Sequence, residues 1–158
     1  ENRKNLKYQT TIVFLGREYI GNTPITLSAG HFINEENLIT LRYSNYNSSY
    51  SKDKSRSLRA ITLGDRYFLG NSFNIMGSVY WKKNTILHSS PRVQYIFRDF
   101  GAGLRVGNEW QWKNFTMGCD WLGLNHTLIK QENTFVGGWL TDEAVTFTYL
   151  SFYLGFSF

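Results

Sequence analysis

A single cysteine, Cys119, leaves no partner for an intramolecular disulfide and no thiolate set for a zinc site. It falls in a strand-like run and reads as a small apolar packing residue. Proline is nearly absent at two residues, whereas glycine (14) and aromatic residues (17%) are plentiful, a balance that favours β structure. No window approaches the roughly 18 to 20 continuous apolar residues of a membrane-spanning helix. That excludes a helical membrane protein but not a barrel, whose alternating strands hardly register in hydropathy. The mean hydropathy of −0.34 is therefore uninformative on this point. Three histidines are too scattered for a metal site, and neither a metal nor another cofactor is expected. Basic-aromatic strips of the kind that bind nucleic acid are missing. The opening "ENRKNLKYQ" carries no signal peptide, so the chain is expected to be cytosolic or already processed. Without a fixed-period repeat, low-complexity tract or linker, residues 1–158 read as one domain.

What is present is alternation. In "FTYLSFYLGFSF" (147–158), Leu150, Phe152, Leu154, Phe156 and Phe158 occupy every second position, with Ser151, Tyr153, Gly155 and Ser157 between them. Period two marks a strand with two unlike faces. Further upstream, Ala102, Leu104, Val106, Trp110 and Trp112 alternate with Gly103, Arg105, Gly107, Glu109 and Gln111. After Lys113 and Asn114, a gap of hairpin length, Phe115, Met117, Cys119 and Trp121 alternate with Thr116, Gly118 and Asp120. Runs at 6–15, 24–33, 38–46, 58–69 and 73–82 bring the count to eight strands. The turns near 35, 70 and 113 are tight, and the connections 16–23, 47–57, 83–100 and 127–144 are long and polar. Asp65, and His31 with Phe32, interrupt the register; a bulge near either would account for it.

Residue types decide which face looks outward. The polar face mixes Arg42, Arg66, Arg105, Glu109 and Asp120 with glycines. An eight-stranded barrel is only wide enough to be filled by its own side chains, so this mixture suits an interior. These five charges are expected to pair, because an unpaired buried charge is costly. The other face is bulky and apolar, and Trp81, Trp110, Trp112, Phe115 and Trp121 near strand ends form an expected aromatic girdle. In water such a face would be a very large exposed apolar patch. The fold class is therefore all-β, an eight-stranded antiparallel up-and-down transmembrane barrel.

This organisation, and above all "YLSFYLGFSF", resembles the small eight-stranded outer-membrane barrels of Gram-negative bacteria, of the OmpX and OmpA transmembrane-domain type. The resemblance implies short periplasmic turns, long extracellular loops, an integral outer-membrane location and a monomer. It also implies that Leu150, Phe152, Leu154, Phe156 and Phe158 are a signal read by the barrel-assembly machinery. The loops gather Lys52, Lys54, Arg56, Lys82, Lys83 and Arg92, expected contacts for the phosphates of lipopolysaccharide; a solvated, soluble set of loops is the plainer reading. The expected role is structural or surface-interacting, without catalysis.

Two other activities stay open. In "ILHSSPR", His88 and Ser90, with Asp99 further on, faintly resemble the His-x-Ser arrangement of the outer-membrane lipid A deacylase, though Pro91 follows the serine and the segment reads as a loop. A charged interior also admits a narrow ion pore, against which stands the small bore of eight strands.

Overall fold

The structure is a computed structural model that describes residues 3, 5–17, 25–51, 54–89, 92–133 and 145–158. Eight antiparallel strands follow in chain order: β1 (Tyr8–Arg17), β2 (Ile25–Phe32), β3 (Asn37–Ser51), β4 (Lys54–Leu69), β5 (Phe73–Ser89), β6 (Arg92–Trp112), β7 (Phe115–Asn133) and β8 (Val145–Ser157). Each pairs with its neighbour in sequence, and β8 returns to β1 from Gln9↔Ser157 to Arg17↔Tyr149, closing the barrel. Closure matters because in lipid every backbone group needs a partner within the protein. Phe158 extends the seam: Tyr8 N–H donates to its carbonyl at 2.8 Å, and its own N–H donates to Tyr8 O at 2.9 Å.

None of the eight strands contains a proline, which could not donate to the ladder. At the short-turn end, Lys113 takes φ 52° in the β6–β7 turn and Gly70 takes φ 78° after β4. Gly70 is the residue that adopts this left-handed backbone at no steric cost.

The alternation sorts the two faces as expected. Leu27, Leu41, Leu63, Leu104, Leu124 and Phe147 are exposed on the outside. Arg42, Arg66, Arg105, Glu109 and Asp120 are buried within. Asp65 and His31 need no bulge. The β3–β4 and β4–β5 ladders run unbroken past Asp65, which is exposed on the outer face. The β1–β2 and β2–β3 ladders likewise run through His31. Phe32 points inward and packs with Leu38 and Phe68, so the interior is apolar, not polar, at the short-turn end.

Register shifts occur elsewhere. Between Val106 and Gly107 the partner on β7 jumps from Leu122 to Asp120, so Trp121 and Leu122 both face outward. On β8, Tyr149 and Leu150 both face outward too, with Leu150 at φ 46°. Ser151 therefore returns to the inside in step with Asp120, its partner across the ladder.

The strands are longer than the apolar pattern suggested. Most of 47–57 and 83–100 is not loop but the continuation of β3, β4, β5 and β6. Outside an apolar layer a strand needs no apolar outer face, so the alternation that betrays it in sequence fades. The interior also changes character there, with Leu58, Ile86 and Phe97 pointing in.

Candidate functional site

Along β4 the inward residues run from Phe68 through Arg66, Thr62, Ala60 and Leu58 to Arg56, and each level of the barrel gathers around one of them. At the short-turn end Arg3 lies over the apolar cluster, its guanidinium 3.7 Å from the centre of the Phe68 ring. It donates to Asn71 O at 2.8 Å, Glu109 O at 3.2 Å and Gly70 O at 3.4 Å. Burial pulls the Arg3 guanidinium below its usual range, while the Glu109 carboxylate pushes it back up.

One level higher sits the charge network. Arg66 Nη1 is 2.9 Å from Glu109 Oε2, and Arg66 Nη2 is 3.2 Å from Asp120 Oδ1. Asp120 Oδ2 lies 3.9 Å from Arg42 and 3.8 Å from Arg105, so three guanidiniums converge on one carboxylate. The structure thus brings together all five charges singled out in the sequence. Three further members went unnoticed there. Tyr153 donates its hydroxyl to Glu109 Oε2 at 3.0 Å and stacks its ring 4.8 Å from the Arg66 guanidinium. Arg66 Nη1 also donates to that hydroxyl. Gln9 Nε2 donates to Glu109 Oε1 at 2.8 Å, and Arg66 Nη2 lies 3.8 Å from Met76 Sδ. The signal was parity: Tyr153 shares a face with Ser151, Gly155 and Ser157. Room for its ring comes from Gly118, where an added Cβ would strike it.

Above this lies a chamber of about 40 Å³, lined among others by Arg42, Lys82 and Arg105. Lys82 corrects an expectation. It is not a loop contact for lipopolysaccharide but an inward residue of β5, 5% exposed, held 2.9 Å from Asp99. Lys82 and Lys83 are adjacent and so face opposite ways, and the register of β5 turns Lys82 inward. Arg56 also turns towards the interior side and donates from Nε to Asn84 at 3.0 Å. Lys52 lies outside the described residues, as do the side chains of Lys54 and Arg92.

Asp99 also bears on the deacylase-like pattern. It is committed to Lys82, while His88 stands six residues further along β5, about 20 Å away at roughly 3.3 Å per residue. His88 packs edge-on against Tyr95 with ring centroids 5.7 Å apart, and Ser90 lies outside the described residues. The acid and the base of that pattern are not brought together. Among the described residues no cluster of His, Cys, Asp or Glu could hold a metal ion.

On the outside, Trp81, Trp110, Trp112, Phe115 and Trp121 are all exposed. Trp112 stacks on Phe115, and Phe115 meets Phe156 edge-on at 6.0 Å, at the short-turn rim. Trp121 joins that rim through Phe73, the first residue of β5. Trp81 is not near a strand end but in the middle of β5, because β5 runs on past the aromatic level. It forms a cross-strand row with Ile61 of β4 and Phe100 of β6. Two residues further from the short turns, Arg59, Lys83 and Arg98 form a second outward row, directly paired across β4, β5 and β6. Among the described residues none of these three makes an ion pair.

Leu150, Phe152, Leu154, Phe156 and Phe158 all lie on the outer face, Phe152 and Leu154 half-buried and the others exposed. Phe158 packs against Tyr8 in a tilted arrangement with centroids 5.9 Å apart, beside the seam.

An apolar outer belt, a charged interior and full closure define a transmembrane β-barrel. No protein-family model and no curated protein matches the sequence. By structure the chain is similar to three eight-stranded outer-membrane barrels. Neisserial surface protein A (NspA) matches at TM-score 0.59 and 13% identity, covering 97% of this chain and 96% of that one. Ail, the attachment invasion locus protein of Yersinia pestis, matches at TM-score 0.56 and 11% identity, covering 97% and 95%. The N-terminal β-barrel domain of Pseudomonas aeruginosa OprF matches at TM-score 0.57 and 14% identity, covering 96% and 98%. The fold is thus that of the eight-stranded outer-membrane barrels.

Proposed function

We propose that the protein is an integral outer-membrane barrel with a structural or surface-interaction role and no catalysis, anchored to lipopolysaccharide through phosphates. The short turns face the periplasm and the long hairpins face outward. The observation that carries this reading is the row Arg59–Lys83–Arg98 above Ile61–Trp81–Phe100. Like charges directly opposite on neighbouring strands repel, so such a row needs anions to offset it. The aromatic row below it marks the level where apolar lipid gives way to headgroups. Phosphates at that level would meet all three cations, and Arg in particular pairs with phosphate in a bidentate fork. The similarity to a surface protein and to an attachment protein supports the surface role, and Ail has been crystallised with the heparin analogue sucrose octasulfate. The charge-plugged interior speaks against a pore, and the separation of His88 from Asp99 speaks against a deacylase. Entry into the membrane would proceed through the barrel-assembly machinery, reading the apolar positions of β8 and Phe158.

The test is binding of lipopolysaccharide to the refolded barrel, compared with its dephosphorylated form and with Arg59→Gln/Lys83→Gln/Arg98→Gln. Binding should fall with dephosphorylation, with the triple substitution and with added salt. Equal binding in all three settings would remove the phosphate reading.

A further inference from the structure

The outer belt dips on the β1–β2 side of the barrel. Across β3, β2, β1, β8 and β7 one outward row reads Leu41, Ala29, Thr10, Phe156 and Phe115, each directly paired with the next. Two small side chains thus stand among large ones. The neighbouring outward pairs on β1 and β2 are Ile12 with Leu27 above them and Tyr8 with His31 below. The result is a shallow hollow of about 630 Å³ floored by Ala29 and Thr10. Thr10 turns its hydroxyl to the Phe156 carbonyl, 3.5 Å away, so the floor presents little that is polar.

Just below, at the short-turn rim of the same two strands, lies a second hollow of about 590 Å³. Its lining is of another kind, with Lys7, His31, Asn34 and Glu35 beside Tyr8. Tyr8 and His31, ring centroids 5.2 Å apart, form the sill between the two hollows. Lys7 is exposed, and no ion pair to it occurs among the described residues. Glu35 has a partner within the chain, and Arg3, which also borders this hollow, donates to the carbonyls of Gly70, Asn71 and Glu109. An apolar hollow therefore adjoins a polar one that offers a cation, with the aromatic level between them. In lipid, packing and not the hydrophobic effect draws molecules together, and a gap in the belt forfeits contacts unless something narrow and flexible fills it. A phosphate at the interface is met by lysine as a point charge.

We propose that these two hollows form one binding site for a glycerophospholipid, with an acyl chain over Ala29 and Thr10 and the phosphate held by Lys7. With the short turns facing the periplasm, this is a lipid of the periplasmic leaflet. That leaflet rests on the orientation proposed above, whereas the test below does not depend on it. The site is separate from the outward cations Arg59, Lys83 and Arg98 at the other end of the barrel, so either reading can fail without the other.

The refolded barrel in detergent is titrated with dimyristoylphosphatidylglycerol and followed by native mass spectrometry, with dimyristoylglycerol as the comparison that lacks phosphate. One saturable adduct is expected with the phospholipid, and binding roughly fivefold weaker or less with dimyristoylglycerol. In deuterated detergent, proton NMR of the unaltered protein should show the acyl chain in contact with the Ala29 methyl group. Ala29→Phe, which fills the hollow, and Lys7→Gln, which removes the charge, should each weaken the adduct roughly fivefold or more. Gly77→Phe adds a ring on β5, across the barrel, where the space beside the backbone is open, and should leave the adduct unchanged. A heat-modifiable band on a gel shows that each variant is folded. Adducts that never saturate, equal binding of dimyristoylglycerol, full retention in either Ala29→Phe or Lys7→Gln, an equal loss in Gly77→Phe, acyl contacts spread evenly around the belt, or a dimer of the barrel in place of the lipid adduct would overturn the proposal.

Discussion

Arg66 and Glu109 meet at 2.9 Å with side chains 3% and 0% exposed, from strands β4 and β6 that do not pair with each other. Their ion pair bridges inside the lumen across β5, and the contact of Arg66 with Tyr153 ties β4 to β8 on the opposite wall. Tyr153 of β8 and Gln9 of β1 bind the same carboxylate, so its two oxygens hold partners from three strands.

Glu109→Gln should therefore be among the most damaging single changes. It leaves Arg66 buried without its closest counter-charge, and breaking a buried pair costs about 3–5 kcal/mol. Urea titration of the folded barrel in lipid or detergent, read on tryptophan fluorescence, measures the loss.

Tyr153→Phe should act more gently. It removes one donor to Glu109 while Arg66 and Gln9 remain, a cost of about 1–3 kcal/mol. Gly118→Ala should cost a similar amount by a different route, because its methyl group displaces the Tyr153 ring; overpacking costs about 1–3 kcal/mol. The two effects share one ring, so the double substitution should be less than additive in the same urea titration.

Arg3→Ala should loosen the short-turn end without dissolving the barrel. It deletes three hydrogen bonds to backbone carbonyls and the contact over Phe68. Hydrogen exchange should quicken at Leu6, whose amide bonds Arg3 O, and stay slow at Arg66.

The interior predicts a closed barrel. Arg3 with Phe32, Leu38 and Phe68 occupies one level of the lumen, and the Arg66 network occupies the next. Planar bilayer recordings should show no sustained conductance in the wild-type protein. Steady channels would mean that these levels open together.

Strand existence and sidedness were legible wherever the outer face meets lipid, because period-two alternation there is enforced by two opposed solvents. Leu104 beside Arg105 and Phe156 beside Ser157 show it most clearly. The pattern failed where that opposition ends. Ile86 and Phe97 point inward beyond the aromatic level, so the sequence between 83 and 100 looks like loop while the backbone continues as ladder. Parity puts Lys82 opposite Trp81, on the polar side, but at the edge of a polar stretch it reads as a loop cation until the register of β5 is seen. Trp121 and Leu150 were legible as apolar but not as bulges, since a bulge leaves residue types unchanged and alters only the count across the ladder. The Arg59–Lys83–Arg98 row was beyond reach for the same reason: its members are 24 and 15 residues apart (83 − 59 and 98 − 83), and only the β4–β5 and β5–β6 registers align them.

The central claim is that the apolar face lies outside and the charged face inside. Refolding tests it most directly, with and without detergent, comparing boiled and unboiled samples on a gel alongside circular dichroism. A heat-modifiable band with a β spectrum, obtained only when detergent or lipid is present, is the predicted result. A stable, folded protein in plain buffer would contradict the account, because the exposed belt of Leu27, Leu41, Leu63, Leu104 and Phe147 could not then stand open to water.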